Sequence, residues 1–399
     1  MTFSPEQCQN KYGRRLRDIL SDLHRHPELS MEEKRTTKII RDTLTSIGVE
    51  LIDLPAATGV IGKIAAPKGV SGPAIGLRAD IDAINQHEKT ERPDKSLSDG
   101  IMHGCGHDIH TVSLLGAAML LAEEKEKLQG DVYFIFQPAE ETLLGARYLI
   151  EDCSLWDQVR IDALFGLHND PESFIGTVGL KNGPLMSYKD GFSLRFLGRG
   201  GHGSRPEKNI DPIVAAASFI QSAQTIISRN VSPFQSAVLS ICQLHAGTPA
   251  NLIVDDVLIA GDIRTLDAST RDRVLARFRE IAEGTAAAYE CTCELDMHSI
   301  VPGVCNPDTL YPVAAAAAAA VFTDERIYEP HVNLASEDFA VYARFVPAFF
   351  YVLGSGAKDR PVRPWHDACF YPDQDTPLYG AALLAQSVIT AERLLLKEN

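Results

Sequence analysis

The sequence predicts an α/β chain: a mostly parallel sheet flanked by helices, carrying an inserted ferredoxin-like α+β segment. Three observations predict it. Short buried-strand runs alternate with helical runs through the amino-terminal part. From 186 to 298 the order becomes strand, helix, strand, strand, helix, strand. The alternating pattern then resumes. The 399 residues also exceed the roughly 250–300 at which a single core stops growing. The expected organisation is a discontinuous domain of 1–185 and 299–399 with an inserted domain of 186–298.

The elements follow in order. Residues 16–23 are apolar at helical spacing and stop at Pro27. Residues 32–47 form a second amphipathic helix closed by Gly48. Buried-strand candidates are 59–65, 74–78, 132–137 and 163–168, with helical runs at 112–126 and 145–151. The pattern changes near Gly183-Pro184. In the insert, 189–197 alternates as a strand, 212–227 is a helix, 237–245 and 251–264 are strands, 270–289 is a helix and 291–298 the last strand. Beyond it come a helix at 310–322 and a strand at 348–353.

Composition is that of a globular protein, 45% apolar and 23% charged. The net charge of -15 argues against nucleic acid or an anionic membrane as the main partner. No apolar run occupies 1–17, so no signal peptide is expected. The longest apolar stretch, 313–322, is too short to span a bilayer. Eight scattered cysteines form no dense framework, which favours a reducing cytoplasm. Cys291 and Cys293 share one face of a strand and read as packing.

Four groups of polar residues come just past buried strands, where open α/β sheets bind ligands. They are Asp80 with Asp82, Cys105 with His107, Glu140 with Glu141, and His168. Pro364-Trp365-His366-Asp367 follows the strand at 348–353. Cys105 and His107 lie in Met102-His103-Gly104-Cys105-Gly106-His107-Asp108-Ile109-His110. Thiolate, imidazole and carboxylate are metal-ligand types, and glycines let backbone crowd around an ion. A nucleophilic Cys105 is the alternative. Of the paired glutamates, one can ligate metal while the other handles a proton; adjacent solvated charges are the plainer reading. His168 and His366, each taken alone, read as packed histidines. His24 and His26 end a helix and read as capping or packing; His103 and His110 flank the cysteine site. The run Gly198-Arg-Gly-Gly-His202-Gly-Ser-Arg-Pro206 lacks the ending of a phosphate-binding loop. It reads as a flexible turn or as a loop presenting His202.

Together these residues carry a resemblance. The chain resembles the two-metal aminoacylase/carboxypeptidase family, in the subfamily of hippurate hydrolase and the auxin-conjugate amidohydrolases. The matching stretches are Leu23-His-Arg-His-Pro-Glu-Leu-Ser30, Leu77-Arg-Ala-Asp-Ile-Asp82, Met102-His-Gly-Cys-Gly-His-Asp108 and Phe136-Gln-Pro-Ala-Glu-Glu141. Phe165-Gly-Leu-His168, Gly200-Gly-His-Gly-Ser204, Ser336-Glu-Asp-Phe339 and the segment around His366 complete them, in the family's order. The resemblance implies a metallohydrolase domain with two divalent ions held by Cys105, His107, Glu141, His168 and His366. It implies Glu140 as catalytic base. It implies that the inserted domain is a lid that mediates homodimerisation, supplying His202 to the reacting carbonyl in the partner's active site and Asn251 with Arg264 to the substrate carboxylate. Asn85, Ile109, Leu143-Leu144 and Pro249-Ala250 depart from the family's pattern. They remove no ligand and bear on substrate size.

The expected function is metal-dependent hydrolysis of an N-acyl amino acid, hippurate-like or N-acetylated. Cysteine among the ligands favours Zn²⁺ over Mg²⁺, with Mn²⁺ and Co²⁺ also used in the family. A dipeptidase or carboxypeptidase on the same site is the alternative. A non-catalytic binding protein would lack a base or a ligand, and none is missing here.

Overall fold

The computed structural model describes residues 1–247 and 249–396. They divide into two compact units, Met1–Gly183 with Cys305–His331 and Asp338–Asn399, and Pro184–Val304 with Val332–Glu337. The second unit thus takes in 184–185, 299–304 and 332–337 as well as the insert read from the sequence, and its last sheet strand, Thr292–Val301, runs past 298.

The first unit is built on an eight-stranded sheet. Its centre is four parallel strands in the spatial order Val132–Gln137, Ile75–Asp80, Ala163–Phe174, Ala348–Gly356. Val60–Ile64 and Glu50–Ile52 add antiparallel at one side; Val178–Gly179 and Ile327–Tyr328 close the other. Three of the central strands are buried along their whole length and Ala163–Phe174 through Asn169, which is why they read as continuous apolar runs rather than as alternation. The helix His107–Glu123 is buried from His107 through Leu121 and packs against Pro5–Arg25 and Thr376–Leu395.

Several elements differ from the sequence reading. The first helix spans Pro5–Arg25, started by Ser4, whose side chain accepts the Gln7 N–H, and by Pro5 at the first helical position. His26 caps its end and His24 is buried in its last turn, in line with capping and packing roles. The helix expected at 112–126 begins at His107, because its polar first turn is buried by pairing rather than left in a loop. His168 lies inside a strand that continues to Phe174, not past its end. The run 145–151 is one short turn, Gly145–Arg147, followed by the wider turn Tyr148–Asp152. Thr376–Leu395, a buried helix, has no counterpart in the sequence reading.

The second unit is a four-stranded antiparallel sheet with the spatial order Ala237–Ala246, Asp256–Thr265, Tyr188–Leu197, Thr292–Val301. Phe192, Leu194 and Phe196 alternate inward against Phe219 and Phe278 of the helices Pro212–Thr225 and Ala268–Ala288. Cys291 and Cys293 join this packing. The strand expected at 251–264 is broken: Leu252–Ile253 pairs with Gly201–His202, and the sheet strand starts at Asp256. Among the described residues no helix is long and apolar enough to cross a membrane.

Candidate metal centre

The carboxyl ends of two central strands, Ile75–Asp80 and Val132–Gln137, and the middle of a third, at His168, meet at one place. Asp80 ends its strand and Asp82 follows it; Glu140 and Glu141 follow Gln137 across a turn. Cys105 precedes the helix that starts at His107.

Five candidate ligands converge there. Cys105, His107 and His168 form one group, and Cys105, Glu141 and His366 another, with the donor atoms of each within 4.8 Å of one another. Cys105 Sγ lies 3.4 Å from His168 Nε2, and Glu141 Oε1 lies 3.4 Å from His366 Nε2. Such separations are close to the roughly 3.3–3.7 Å expected between atoms bound tetrahedrally at about 2.0–2.3 Å from one ion. His107 Nε2 and Glu141 Oε1 are buried without a hydrogen-bond partner among the described residues, 3.8 Å apart. Buried orphans of this kind are costly unless something between them satisfies both. The donor set therefore fits divalent cations.

The histidine tautomers agree. His168 Nδ1 lies 2.8 Å from the Asn169 carbonyl, which only accepts, so Nδ1 carries the proton and Nε2 offers a lone pair. Burial brings His168 down to about 4, which keeps it neutral. His107 Nδ1 meets Asp82 Oδ1 at 3.0 Å, which leaves its Nε2 for the centre. Burial alone would lower the His107 pKa, but the Asp80 and Asp82 carboxylates carry it well above its usual value, so without a cation Nε2 keeps a proton that a bound ion would displace. Burial pushes the Cys105 thiol up, so without a cation it stays protonated; a bound divalent ion reverses that by holding the thiolate. His110 is excluded as a ligand although it stands near His107. Its Nδ1 is 2.6 Å from Asp80 Oδ1, and its Nε2 accepts the Asn169 N–H at 2.9 Å, so both nitrogens are engaged.

Residues the sequence left without a role hold this set. Asp82 supports His107 and also accepts the Glu141 N–H at 3.0 Å and the Ser30 hydroxyl at 2.7 Å. Asn169 donates to the Cys105 carbonyl at 2.6 Å, while its own carbonyl accepts from His168 and from Trp365. Its position directly after His168 in a buried strand was the available signal. Gly106 has φ 87°, and a Cβ there would lie 2.4 Å from Asn169 Nδ2, so only glycine fits. His366 is half-exposed, at φ 63°, and its N–H donates to the Gly104 carbonyl at 2.8 Å, tying the last candidate ligand to the cysteine loop. His24 Nδ1 meets Asp108 Oδ2 at 2.6 Å beside the same loop; His103 is buried nearby without a hydrogen-bond partner among the described residues. Of the departures, Leu143 sits at φ 57°, where glycine would be unstrained, and Ile109 belongs to the hydrophobic core.

In the second unit His202 and Asn251 stand side by side, since Leu252 pairs with His202 and the Gly203 N–H donates to the Asn251 carbonyl. His202 Nδ1 accepts the Ser204 N–H at 3.1 Å, so Nε2 carries the proton and His202 is a donor there. Arg264 lies on the sheet strand Asp256–Thr265, with Nη1 2.8 Å from the Leu334 carbonyl and Nη2 3.5 Å from Asp262.

The model of the peptidase family M20/M25/M40 matches residues 76–388, which contain every candidate ligand. The chain belongs to this family. The M20 chain is 40% identical over 377 residues to an N-acetyl-L-cysteine deacetylase of Bacillus subtilis, covering 94% of this chain and 87% of that protein. It is 39% identical over 325 residues to a hippurate hydrolase of Campylobacter jejuni, covering 81% and 84%. A solved Bacillus subtilis structure, described as a dinuclear metal binding peptidase from the M20 family, superposes with a TM-score of 0.85 at 36% identity, over 96% of this chain and 99% of that one. The M20 chain is thus a metal-dependent hydrolase with the mixed α/β fold of its relatives.

Proposed function

We propose that the chain hydrolyses the amide bond of N-acyl amino acids at a centre formed by Cys105, His107, Glu141, His168 and His366. The observation that carries this is the pair of donor groups sharing Cys105, with the buried orphan atoms of His107 and Glu141 facing each other. The amide-cleaving relatives on small acylated amino acids support the substrate class.

Cys105, His107, Glu141, His168 and His366 would hold two divalent ions, which when bound would supply Lewis acidity toward the amide carbonyl and a water of lowered pKa. Thiolate with imidazole suits Zn²⁺, and the carboxylate admits Mn²⁺ or Co²⁺. Glu140, whose Oε2 lies 3.8 Å from His107 Nε2, takes the proton of the attacking water and passes it to the leaving amine. The Nε2–H of His202 donates to the carbonyl oxygen as charge develops on it. Asn251 and Arg264 bind the free carboxylate of the amino-acid half, arginine offering a planar two-point grip.

The Pro184–Val304 unit serves as lid and as the contact of a homodimer. Its outer strand Ala237–Ala246 has, among the described residues, one unpaired edge and an exposed end, which supports that reading. Eight unpaired cysteines support a cytoplasmic setting. Metal-reconstituted protein should hydrolyse N-acetyl or N-benzoyl amino acids with higher kcat/KM than dipeptides. The opposite order would make it a dipeptidase instead.

A further inference from the structure

The segment 24–33 lends Ser30 to Asp82 and also reaches the loop that bears Glu140, through Glu33, which has been given no task. Glu33 stands at the N-cap of the helix Lys34–Ser46, yet its side chain does not cap that helix. Glu28 does so instead, its two oxygens accepting the N–H groups of Arg35 and Thr36 at 2.9 and 2.8 Å. Glu33 is thereby released for another contact. Its Oε1 accepts the Ala139 N–H at 2.8 Å, and the Glu33 side chain is fully buried.

Ala139 immediately precedes Glu140 and has φ 57°, a left-handed conformation that a residue with a Cβ adopts only at a cost. Its carbonyl accepts from the Gly145 N–H and from the Thr142 hydroxyl, both at 3.1 Å. Gly145 approaches so closely that a Cβ would lie 1.7 Å from the Pro138 carbonyl oxygen. Ala139 is therefore held at both its backbone groups, and Glu33 supplies the hold on the N–H. Burial, with the Asp82 charge nearby, pushes the Glu33 carboxyl up to about 7. A neutral acid can hold the Ala139 N–H through its carbonyl oxygen, and so can an amide.

We propose that Glu33 is a positioning residue for the reaction: through the Ala139 N–H it holds the left-handed turn that aims the Glu140 carboxylate. This rests on Glu140 being the base. A residue that served only the helix Lys34–Ser46 would act through helix stability and would be indifferent to what stands at 139.

The test compares the wild type with Glu33→Gln and Glu33→Ala, each also in an Ala139→Gly background. Glu33→Ala should lower kcat by about tenfold to a hundredfold, with KM and metal content per chain changed by less than about twofold. Glu33→Gln, whose amide oxygen accepts the same N–H, should return kcat to within about threefold of wild type. The loss caused by Glu33→Ala should shrink in the Ala139→Gly background, because glycine adopts the turn without strain. Hydrogen exchange of the 138–141 segment should speed up in Glu33→Ala and not in Glu33→Gln. Should Glu33→Ala fail to fold, Glu33→Asp, one methylene short of the amide, takes its place with the same expected loss.

The proposal is overturned by wild-type kcat and exchange in the Ala or Asp variant. It is also overturned by a Gln variant as impaired as Ala, or by an equal loss in both backgrounds. The exchange readout does not depend on Glu140. If Glu140→Gln were to remain active, the base assignment would fall while exchange at Ala139 still decided whether Glu33 holds the turn.

Discussion

At the scale of the residue, the centre works through paired nitrogens and oxygens whose second atoms are already committed. His168 and His107 each have one ring nitrogen engaged by a carbonyl or carboxylate, which leaves the other to the centre. Asp80 illustrates the electrostatics. Burial opposes its ionisation, but His107, His110 and Arg78 around it hold its carboxyl well below the usual range. Glu140 and Glu141 are neighbours with different surroundings, as the proposed division between a proton-handling base and a ligand requires. Glu140→Gln should lower kcat by about 10²–10⁴-fold while metal content per chain is retained. Turnover measured beside metal analysis checks it, and an active, metal-loaded variant would remove Glu140 from the base role. Cys105, His107 and the glutamate pair were legible in the sequence because their chemistry is dense and local. Asn169 and Asp82 were not assigned roles, because a holding residue is recognised only by what it touches.

At the scale of the element, polar residues at the seams between helices and strands set how those elements dock. Glu392, near the end of the helix Thr376–Leu395, accepts the N–H groups of Gln129 and Gly130 at 2.9 and 3.0 Å, just before the strand Val132–Gln137. Burial pushes its carboxyl from 4.5 up to about 7 despite those two bonds. A carboxyl raised in the folded state stabilises fully below its unfolded pKa, and that contribution is lost as pH rises through the folded value. Between about pH 4.5 and 7 the wild type therefore loses stability through Glu392. Glu392→Gln keeps an acceptor for both N–H groups and has no charge to bury. It should be more stable than wild type above pH 8 by about 1–3 kcal/mol and gain little at pH 5. Denaturant melts across that range check it; a constant offset at all pH values would count against it. The helix itself escaped the sequence reading, since it is buried over most of its surface and lacks amphipathic contrast.

At the scale of the whole molecule, the candidate ligands lie in the first unit, while His202, Asn251 and Arg264 belong to the second. Metal stabilisation should therefore act on one unit's unfolding. Ions that bind only the native state contribute about 2.7 kcal/mol at a hundred times Kd. Chelation should lower the melting temperature of the metal-loaded protein by several degrees, and added Zn²⁺ or Mn²⁺ should restore it. Calorimetry checks this; an unchanged melting curve after verified metal removal would argue against resident ions at this site.

What the sequence determined by itself was the chemistry available and the order in which it arrives. Apolar runs specified the buried strands, and ligand-type side chains directly after them specified a site at the sheet edge. The order β-α-β-β-α-β was also readable across 186–298. Only the tertiary structure decided which atoms face one another: that His110 is spent on Asp80 and Asn169, that Cys105 belongs to two donor groups, and that Glu33 reaches Ala139 across 106 positions of chain. The physical reason is that apolar periodicity and side-chain type are local properties. Hydrogen-bond satisfaction inside a buried site depends on strands and helices distant in sequence meeting at fixed register, and no local pattern encodes that meeting.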